Sequence, residues 1–412
     1  MLDPQIHELH ADEQLRNSRR ADGCLQHGLG HGNLSGRVIL RCEDLSFEPP
    51  SGPRLPTART YVSPAAGEAE PDGPLGPGWH MGLFSRIVER EDGAIRFEDG
   101  AGSWHEWIPG EGGLYAPAWP DLRQELTRDD QGGFVVTHPD RERWTFDPAG
   151  RLLEIRDRND IGWEFAYDDA GRLYLVDDGR GRRLYLAYYP DDDPDPQAAG
   201  KLNLLVDLRD ALQRRFHFGF HEGRLYIVSH SPYEGQDVVL SRYRYEAGRL
   251  WLVDDQHENV QLQFAYHSEG SWEGRLRSET FYDLRHTTYD YEAPGTVRLE
   301  RTDLQDPSPS PRQYVFQHDE RNNVLEIREP LDHVHRFAYE DPRNPYLLTW
   351  KKLPNGAEFH YSHNSRGNPT RIVDPFGHAT TFEYAEDLLS AGELNPYHEN
   401  LPYRTSRPGS AG

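Results

Sequence analysis

The 412-residue chain holds only two cysteines, Cys24 and Cys42. Two thiols cannot staple a disulfide framework, so the fold has to stand on burial and hydrogen bonding. Basic residues are in short supply as well. The 45 Lys and Arg face 69 Asp and Glu, which leaves a formal charge of −24. That balance excludes nucleic acid and anionic membrane surfaces as main partners, because both select basic surfaces. No apolar run approaches the length of a membrane span. The start, MLDPQIHELHADEQ, lacks the basic-then-apolar layout of a signal peptide. The expectation is synthesis in the cytoplasm, with later export inside a larger machine left open. Apolar residues make up 36% of the chain and mean hydropathy is −0.85. That is little for one thick core and suits a thin, extended sheet with 22 tyrosines and 9 tryptophans as its apolar bulk.

Catalytic signatures are missing too. There is no Gly-x-Ser-x-Gly elbow and no His-Glu-x-x-His helix. The glycines from Gly73 to Gly78 are not followed by the Lys-Ser or Lys-Thr of a phosphate loop. Cys24, His27, His31 and Cys42 are donors that zinc accepts, but the Cys42 spacing is not that of a finger. Asp191, Asp193 and Asp195 alternate as in a calcium loop, yet Pro196 stands where the loop needs Gly and Leu202 where it needs Glu. His333 and His335 would share one face of a strand. Surface or loop residues are the simpler reading of each, so the chain is expected to be non-catalytic and free of metal and cofactor.

What the sequence does have is repetition. Between Trp144 and Asp178 one sentence is written twice at an offset of 21 residues: Phe146-Asp147, Gly150-Arg151-Leu152 and Asp157 answer to Tyr167-Asp168, Gly171-Arg172-Leu173 and Asp178. A fixed period of this size signals a repeat architecture. Trp163, Phe165 and Tyr167 alternate as in a strand. Asp168 starts a turn and Gly171 supplies the positive φ that closes it. Arg172 to Val176 is the returning strand, with Leu173 and Leu175 expected on one face and Tyr174 and Val176 on the other. Aromatic anchors continue at Tyr188, Phe220, Tyr245, Tyr266, Tyr291, Phe316, Tyr339, Tyr361 and Tyr384, with turns marked by Gly223 and Gly248 and, more loosely, by Asn322 and Gly367. One hairpin cannot stand alone in water, whereas many in a row can. The fold class is therefore all-β: tandem hairpins forming a long, curved, spiralling sheet.

The Tyr-Asp-x-x-Gly-Arg-Leu pattern resembles the YD repeat of bacterial Rhs proteins, toxin-complex proteins and teneurins. Upstream, Asp72 to Trp79, including Gly78 and Trp79, looks like the Gly-Pro-rich signature that opens the Rhs shell. The organisation expected is a polar segment over 1–42, an opening β domain over 43–140, repeats over 141–390 and a flexible tail over 391–412. The resemblance implies a structural shell segment that holds a toxic polypeptide away from its maker. Its partners would be a toxin domain, the remaining shell repeats or a secretion-spike protein, and its open sheet edge would favour self-association. Trp79 is expected to pack under the first repeats as a cap. Asp147-Pro148-Ala149-Gly150 and Asp374-Pro375-Phe376-Gly377 each match half of the paired motif of the family's aspartyl self-protease, and both read as repeat turns. The rival reading is a free-standing module whose exposed rings stack on sugars.

Overall fold

The computed structural model describes residues 34–42, 51–65, 73–388 and 402–406, apart from breaks at 101, 111–114, 119–121, 190–203, 213, 232–236, 256, 283, 294 and 307–309. Cys24, His27, His31 and the acidic insertion at Asp191, Asp193 and Asp195 lie outside the described residues.

The chain is built almost wholly of strands. A three-stranded antiparallel sheet comes first: Ile39–Cys42, Arg59–Val62 and Trp79–Met81. A four-stranded one follows: Arg86–Glu89, Ile95–Glu98, Trp104–Pro109 and Tyr115–Pro117. From Glu125 onward 24 antiparallel strands make one long sheet, each paired to its neighbours in sequence. The sheet coils far enough that the Gly367 turn lies against the Arg123 guanidinium, just before the first of these strands. Among the described residues the pairings run from Glu125–Arg128 to Pro402–Ser406, and no register joins the last strand to the first. The coil is an open spiral.

Three features differ from the sequence reading. The strands Glu125–Arg128 and Phe134–Thr137 fall inside the 43–140 segment but pair into the long sheet. The tail beyond residue 390 is not wholly flexible: Pro402–Ser406 pairs with Ala379–Tyr384, and Arg404 reaches Glu383 at 3.3 Å. The third difference concerns faces. A β-bulge sits between Ala166 and Tyr167, opposite Leu173 and Leu175. The extra residue shifts the pleat, so Leu173 and Val176 are both buried on one face while Tyr174 is exposed. The same three-residue spacing recurs at Leu152 and Ile155, Leu205 and Leu208, Leu225 and Val228, and Leu250 and Val253. A bulge in most of the returning strands is what breaks simple alternation.

The buried apolar set is continuous from Leu34 to Ile327. It lies between the long sheet and the two small sheets. Past Ile327 the same face continues through directly paired strands, and there Phe337, Phe359, Tyr361, Ile372 and Phe382 are only half-buried. Among the described residues the helical content is three short 3₁₀ turns and the four-residue helix Ala385–Leu388. Far-ultraviolet circular dichroism should therefore show a strand spectrum; the double minimum of a helical protein would contradict this architecture.

Candidate functional site: the turn row and its cover

Many of the repeat turns are held by an aspartate. In the unit at Tyr167, the Asp168 carboxylate accepts hydrogen bonds from the backbone N–H groups of Ala170 and Arg172 at 3.0 and 2.8 Å, and from Arg172 Nε at 2.9 Å. Burial works against the carboxylate, but these bonds outweigh it and hold its pKa below the usual value. Gly171 sits at φ +79° and Gly248 at +81°. Gly150 and Gly223 share that left-handed conformation, at +81° and +75°. The same aspartate–arginine clasp recurs at Asp147 and Arg151, Asp178 and Arg182, and Asp210 and Arg214. In later units Asn323 and His378 take the arginine's place opposite Asp319 and Asp374.

The arginine that follows the turn glycine lies over the tyrosine of the next unit, in the clasped pairs Asp147–Arg151 and Asp168–Arg172 and also in the turns at Gly223 and Gly274, which hold no aspartate. Arg151 is 5.0 Å from the Tyr167 ring, Arg172 5.5 Å from Tyr188, Arg224 5.3 Å from Tyr245 and Arg275 5.2 Å from Tyr291. The tyrosine in turn donates its hydroxyl hydrogen to the backbone carbonyl of the preceding unit's leucine. Tyr167 bonds Leu152, Tyr188 bonds Leu173, Tyr245 bonds Leu225 and Tyr266 bonds Leu250, all at 2.7–2.8 Å. Tyr291 bonds Leu276 at 3.0 Å, and Tyr384 bonds Pro369 at 2.9 Å. The carbonyl is open to the tyrosine because the leucine precedes the first pair of the ladder to the next strand, Leu175 with Tyr185 after Leu173 and Ile227 with Arg242 after Leu225.

Three of the leucine N–H groups also find acceptors in the N-terminal segment. Leu205 donates to the Pro74 carbonyl at 2.7 Å, Leu276 to the Gly36 carbonyl at 2.7 Å, and Leu250 to the Tyr61 hydroxyl at 2.9 Å. Ile87 donates its N–H to the Gly150 carbonyl at 2.9 Å, and Trp163 Nε1 donates to the Pro53 carbonyl at 2.9 Å. The described parts of residues 36–87 thus form a strap along the row from Gly150 to Leu276. Trp79 lies in the middle of the strap and not under the first repeats. Its ring is 4.8 Å from Tyr243, and its Nε1 donates to the Tyr245 hydroxyl at 2.7 Å. The fully buried Arg59 guanidinium lies between Trp79, Tyr243 and Phe218, 5.0–5.8 Å from each ring. The first repeats are covered instead by the four-stranded sheet, through Phe97 against Trp144 and Phe146, each at 5.7 Å.

That junction also buries two imidazoles. His105 and His138 flank Phe97, at 5.9 and 6.5 Å between rings. Burial, then the charge of His138, lowers the His105 pKa to about 4; burial lowers that of His138. Beside them, burial pushes the Glu142 carboxyl up to about 7 against the bond donated by Trp144 Nε1 at 2.6 Å, with Asp140 and Asp157 adding to the rise. No sequence signal marks this cluster beyond its aromatic neighbours.

The other groupings singled out in the sequence do not converge. Among the described residues no three His, Cys, Asp or Glu side chains are placed to hold a metal. Cys42 is half-buried, with its Sγ 3.7 Å from the Tyr243 hydroxyl. His335 lies 3.6 Å from Glu329 and stacks on Phe337, while His333 is exposed. Asp147 and Asp374 both serve as turn clasps. Among the described residues no helix is long and apolar enough to cross a membrane.

Residues 146–183, the two units described first, match the family model for the RHS Repeat. This chain carries RHS repeats. A search of the curated proteins finds no match. Among solved structures, the chain is similar to one in a Photorhabdus luminescens Tc holotoxin pore, with 12% identity over 85% of this chain and 25% of that one and a TM-score of 0.37. A TcdB2–TccC3 crystal structure gives 10% identity over the same shares, with a TM-score of 0.34. A porin-like protein from Bacteroides uniformis gives 12% identity over 69% and 92%, with a TM-score of 0.20. The chain spans about a quarter of the length of the Tc chains. Superpositions this loose carry no argument, so the RHS assignment rests on the matched segment and on the clasp repeated beyond it.

The geometry makes three predictions. Gly171→Ala should cost about 1 kcal/mol through its positive φ alone, since the new methyl would meet little besides the Arg151 side chain. Gly150→Ala should cost clearly more, because its methyl would collide with the Ile87 carbonyl. Chemical denaturation of both variants checks the order. Tyr188→Phe should lose about 1 kcal/mol, the worth of one hydrogen bond. Tyr245→Phe should lose more, because it also strands the Trp79 N–H. The third prediction concerns pH. His105 has a depressed pKa when folded, so its stabilising share is full above 6.5 and is lost as pH falls towards 4, by about 3 kcal/mol. Glu142 has a raised one, so its share is full below 4.5 and is lost as pH rises through 7. Melting temperature against pH should lose its acid-side slope in His105→Phe and its slope near neutrality in Glu142→Gln.

Proposed function

We propose that this chain is a non-catalytic segment of an Rhs-type shell, whose role is to enclose a polypeptide that is harmful when free. One observation supports this above the others: the inner face of the spiral is apolar and buried up to Ile327, while beyond it Phe337, Phe359, Tyr361, Ile372 and Phe382 are only half-buried around a buried Lys351. A face of that kind, continuous with a core, is the surface that further shell repeats or an enclosed polypeptide would bury. The repeat supports it from a second side. Each unit offers a leucine carbonyl and an arginine to a following tyrosine, so the array extends by adding units. The resemblance supplies the nature of the enclosed polypeptide, a toxin domain in the same or a separate chain. A secretion-spike protein as carrier belongs to the same reading, as does export within a larger effector.

The test is assembly. Expressed alone, the chain should be harmless to cells, lack hydrolase activity, bind a hydrophobic dye and self-associate. Co-expression with the polypeptide encoded immediately downstream should give a defined complex, with dye binding and self-association suppressed. A monomer that binds no dye and ignores that polypeptide would overturn the shell reading.

A further inference from the structure

The core face of the long sheet is interrupted by a row of polar side chains across four neighbouring strands, Leu276–Phe281, Arg285–Ala293, Thr296–Asp303 and Arg312–His318. The register sets the row: Glu279 pairs with Thr287, Thr287 with Arg301 and Arg301 with Arg312. Directly paired residues share a face. One step along that face, Tyr289, Leu299 and Tyr314 form the margin of the core. The buried Glu279 stands three residues after Leu276, where other units bury Ile155, Val176, Leu208, Val228 and Val253.

Two arginines in this row oppose each other. Cβ atoms of directly opposed residues lie about 4.5–5.5 Å apart, and like charges in that arrangement are destabilising. In the other opposed cation pairs of the long sheet at least one member holds a carboxylate. Arg156, opposite Arg143, bonds Glu164 at 2.5 Å, and Arg215, opposite Arg209, bonds Asp207 at 2.8 Å. Arg336 and Lys352 oppose each other and bond Glu326 and Glu358 at 3.0 and 2.8 Å. Arg301 and Arg312 have no carboxylate partner among the described residues. Beside them the fully buried Thr287 leaves its hydroxyl without a hydrogen bond. The ordinary reading is a pair of solvated guanidinium groups. It fits the exposed Arg312, but not the half-buried Arg301 next to a buried hydroxyl that lacks a partner.

What the row lacks is an anion. A carboxylate matches the guanidinium fork, and Glu279 in the same row together with Asp303 at the end of the Arg301 strand favours one negative charge over the two of phosphate. The surroundings favour a carboxylate carried on a peptide. The hairpin tips at this end of the same strands present Tyr282, Leu284 and Leu304, 49, 42 and 44% exposed. Leu304 donates its N–H to the Leu284 carbonyl at 2.9 Å, which ties the two tips together. We propose that this corner of the sheet docks an acidic segment of a second polypeptide, with a glutamate or aspartate carboxylate between Arg301 and Arg312 and flanking apolar side chains on Tyr282, Leu284 and Leu304. In a chain of formal charge −24, a local positive pair is what lets an acidic segment approach. The site does not rest on the shell reading, since it lies ahead of the half-buried stretch that begins after Ile327.

Fluorescence polarisation on the full chain tests it, with a labelled peptide of alternating leucine and glutamate, its leucine–glutamine analogue and inorganic phosphate as probes. The glutamate peptide should bind with a Kd of about 100 μM and the glutamine peptide about tenfold more weakly. Arg301→Gln and Arg312→Gln should each bring the glutamate peptide to the glutamine level, while Leu304→Ser should weaken both peptides alike. Neither arginine variant should melt below the parent, because each removes one of two opposed like charges. A lower melting temperature in both would show that the guanidinium groups are already neutralised and would overturn the site. No binding of the glutamate peptide at about 1 mM, or binding unchanged in both variants, would overturn it as well. Displacement of the peptide by an equal concentration of phosphate would reassign the pair to anions in general and overturn the peptide.

Discussion

The structure depends on one hydrogen bond made again and again, from a tyrosine hydroxyl to the carbonyl of a leucine one unit back. It exists because that leucine precedes the first pair of the ladder to the next strand, Leu175 with Tyr185 in the case of Leu173, and a buried carbonyl without a partner costs free energy. The rest of the repeat serves this bond. Where an aspartate is present, as at Asp147 and Asp168, it fixes the turn and clasps the arginine, and the arginine lies 5.0–5.5 Å over the next tyrosine ring. Tyrosine meets the need because it supplies both the ring and the hydroxyl. Phenylalanine anchors at Phe146, Phe220 and Phe316 keep the packing without the bond, and all three are buried.

The strap over residues 36–87 solves the complementary problem. Leu205, Leu250 and Leu276 also turn an N–H to the strap, where the carbonyls of Pro74 and Gly36 and the Tyr61 hydroxyl accept. A sheet of this length has few long-range contacts of its own, because each strand touches only its neighbours. The strap joins units that are far apart in the array, from Gly150 to Leu276. Arg59 and Trp79 anchor its centre.

Much of this was legible in the residues. The period, the hairpins, the positive φ of the turn glycines and the all-β class follow from Tyr-Asp-x-x-Gly-Arg-Leu and its spacing. The faces of the returning strands were not. Leu173 and Val176 look like opposite faces until the bulge is seen, and a bulge depends on pairing with a partner strand. The seat of Trp79 was hidden for a similar reason. It is set by Tyr243 and Tyr245, more than 160 residues away, and local pattern carries no signal over that distance. The strands Trp104–Pro109 and Tyr115–Pro117 went unread between glycine- and proline-rich stretches, and Pro402–Ser406 needed the edge of Ala379–Tyr384 to become a strand. The facing of Arg301 and Arg312 depends on the register between two strands, and no single stretch of sequence displays it.

The tyrosine bond also has a direction. Each tyrosine that makes the bond makes it backwards, onto a carbonyl already placed by the unit before it. A chain leaving the ribosome N-terminus first therefore always docks new material on a finished template, with the strap made before any of the rows it fastens. Construction in that order is vectorial: each addition removes one exposed edge and creates the next, so the vulnerable surface never exceeds a single growing end.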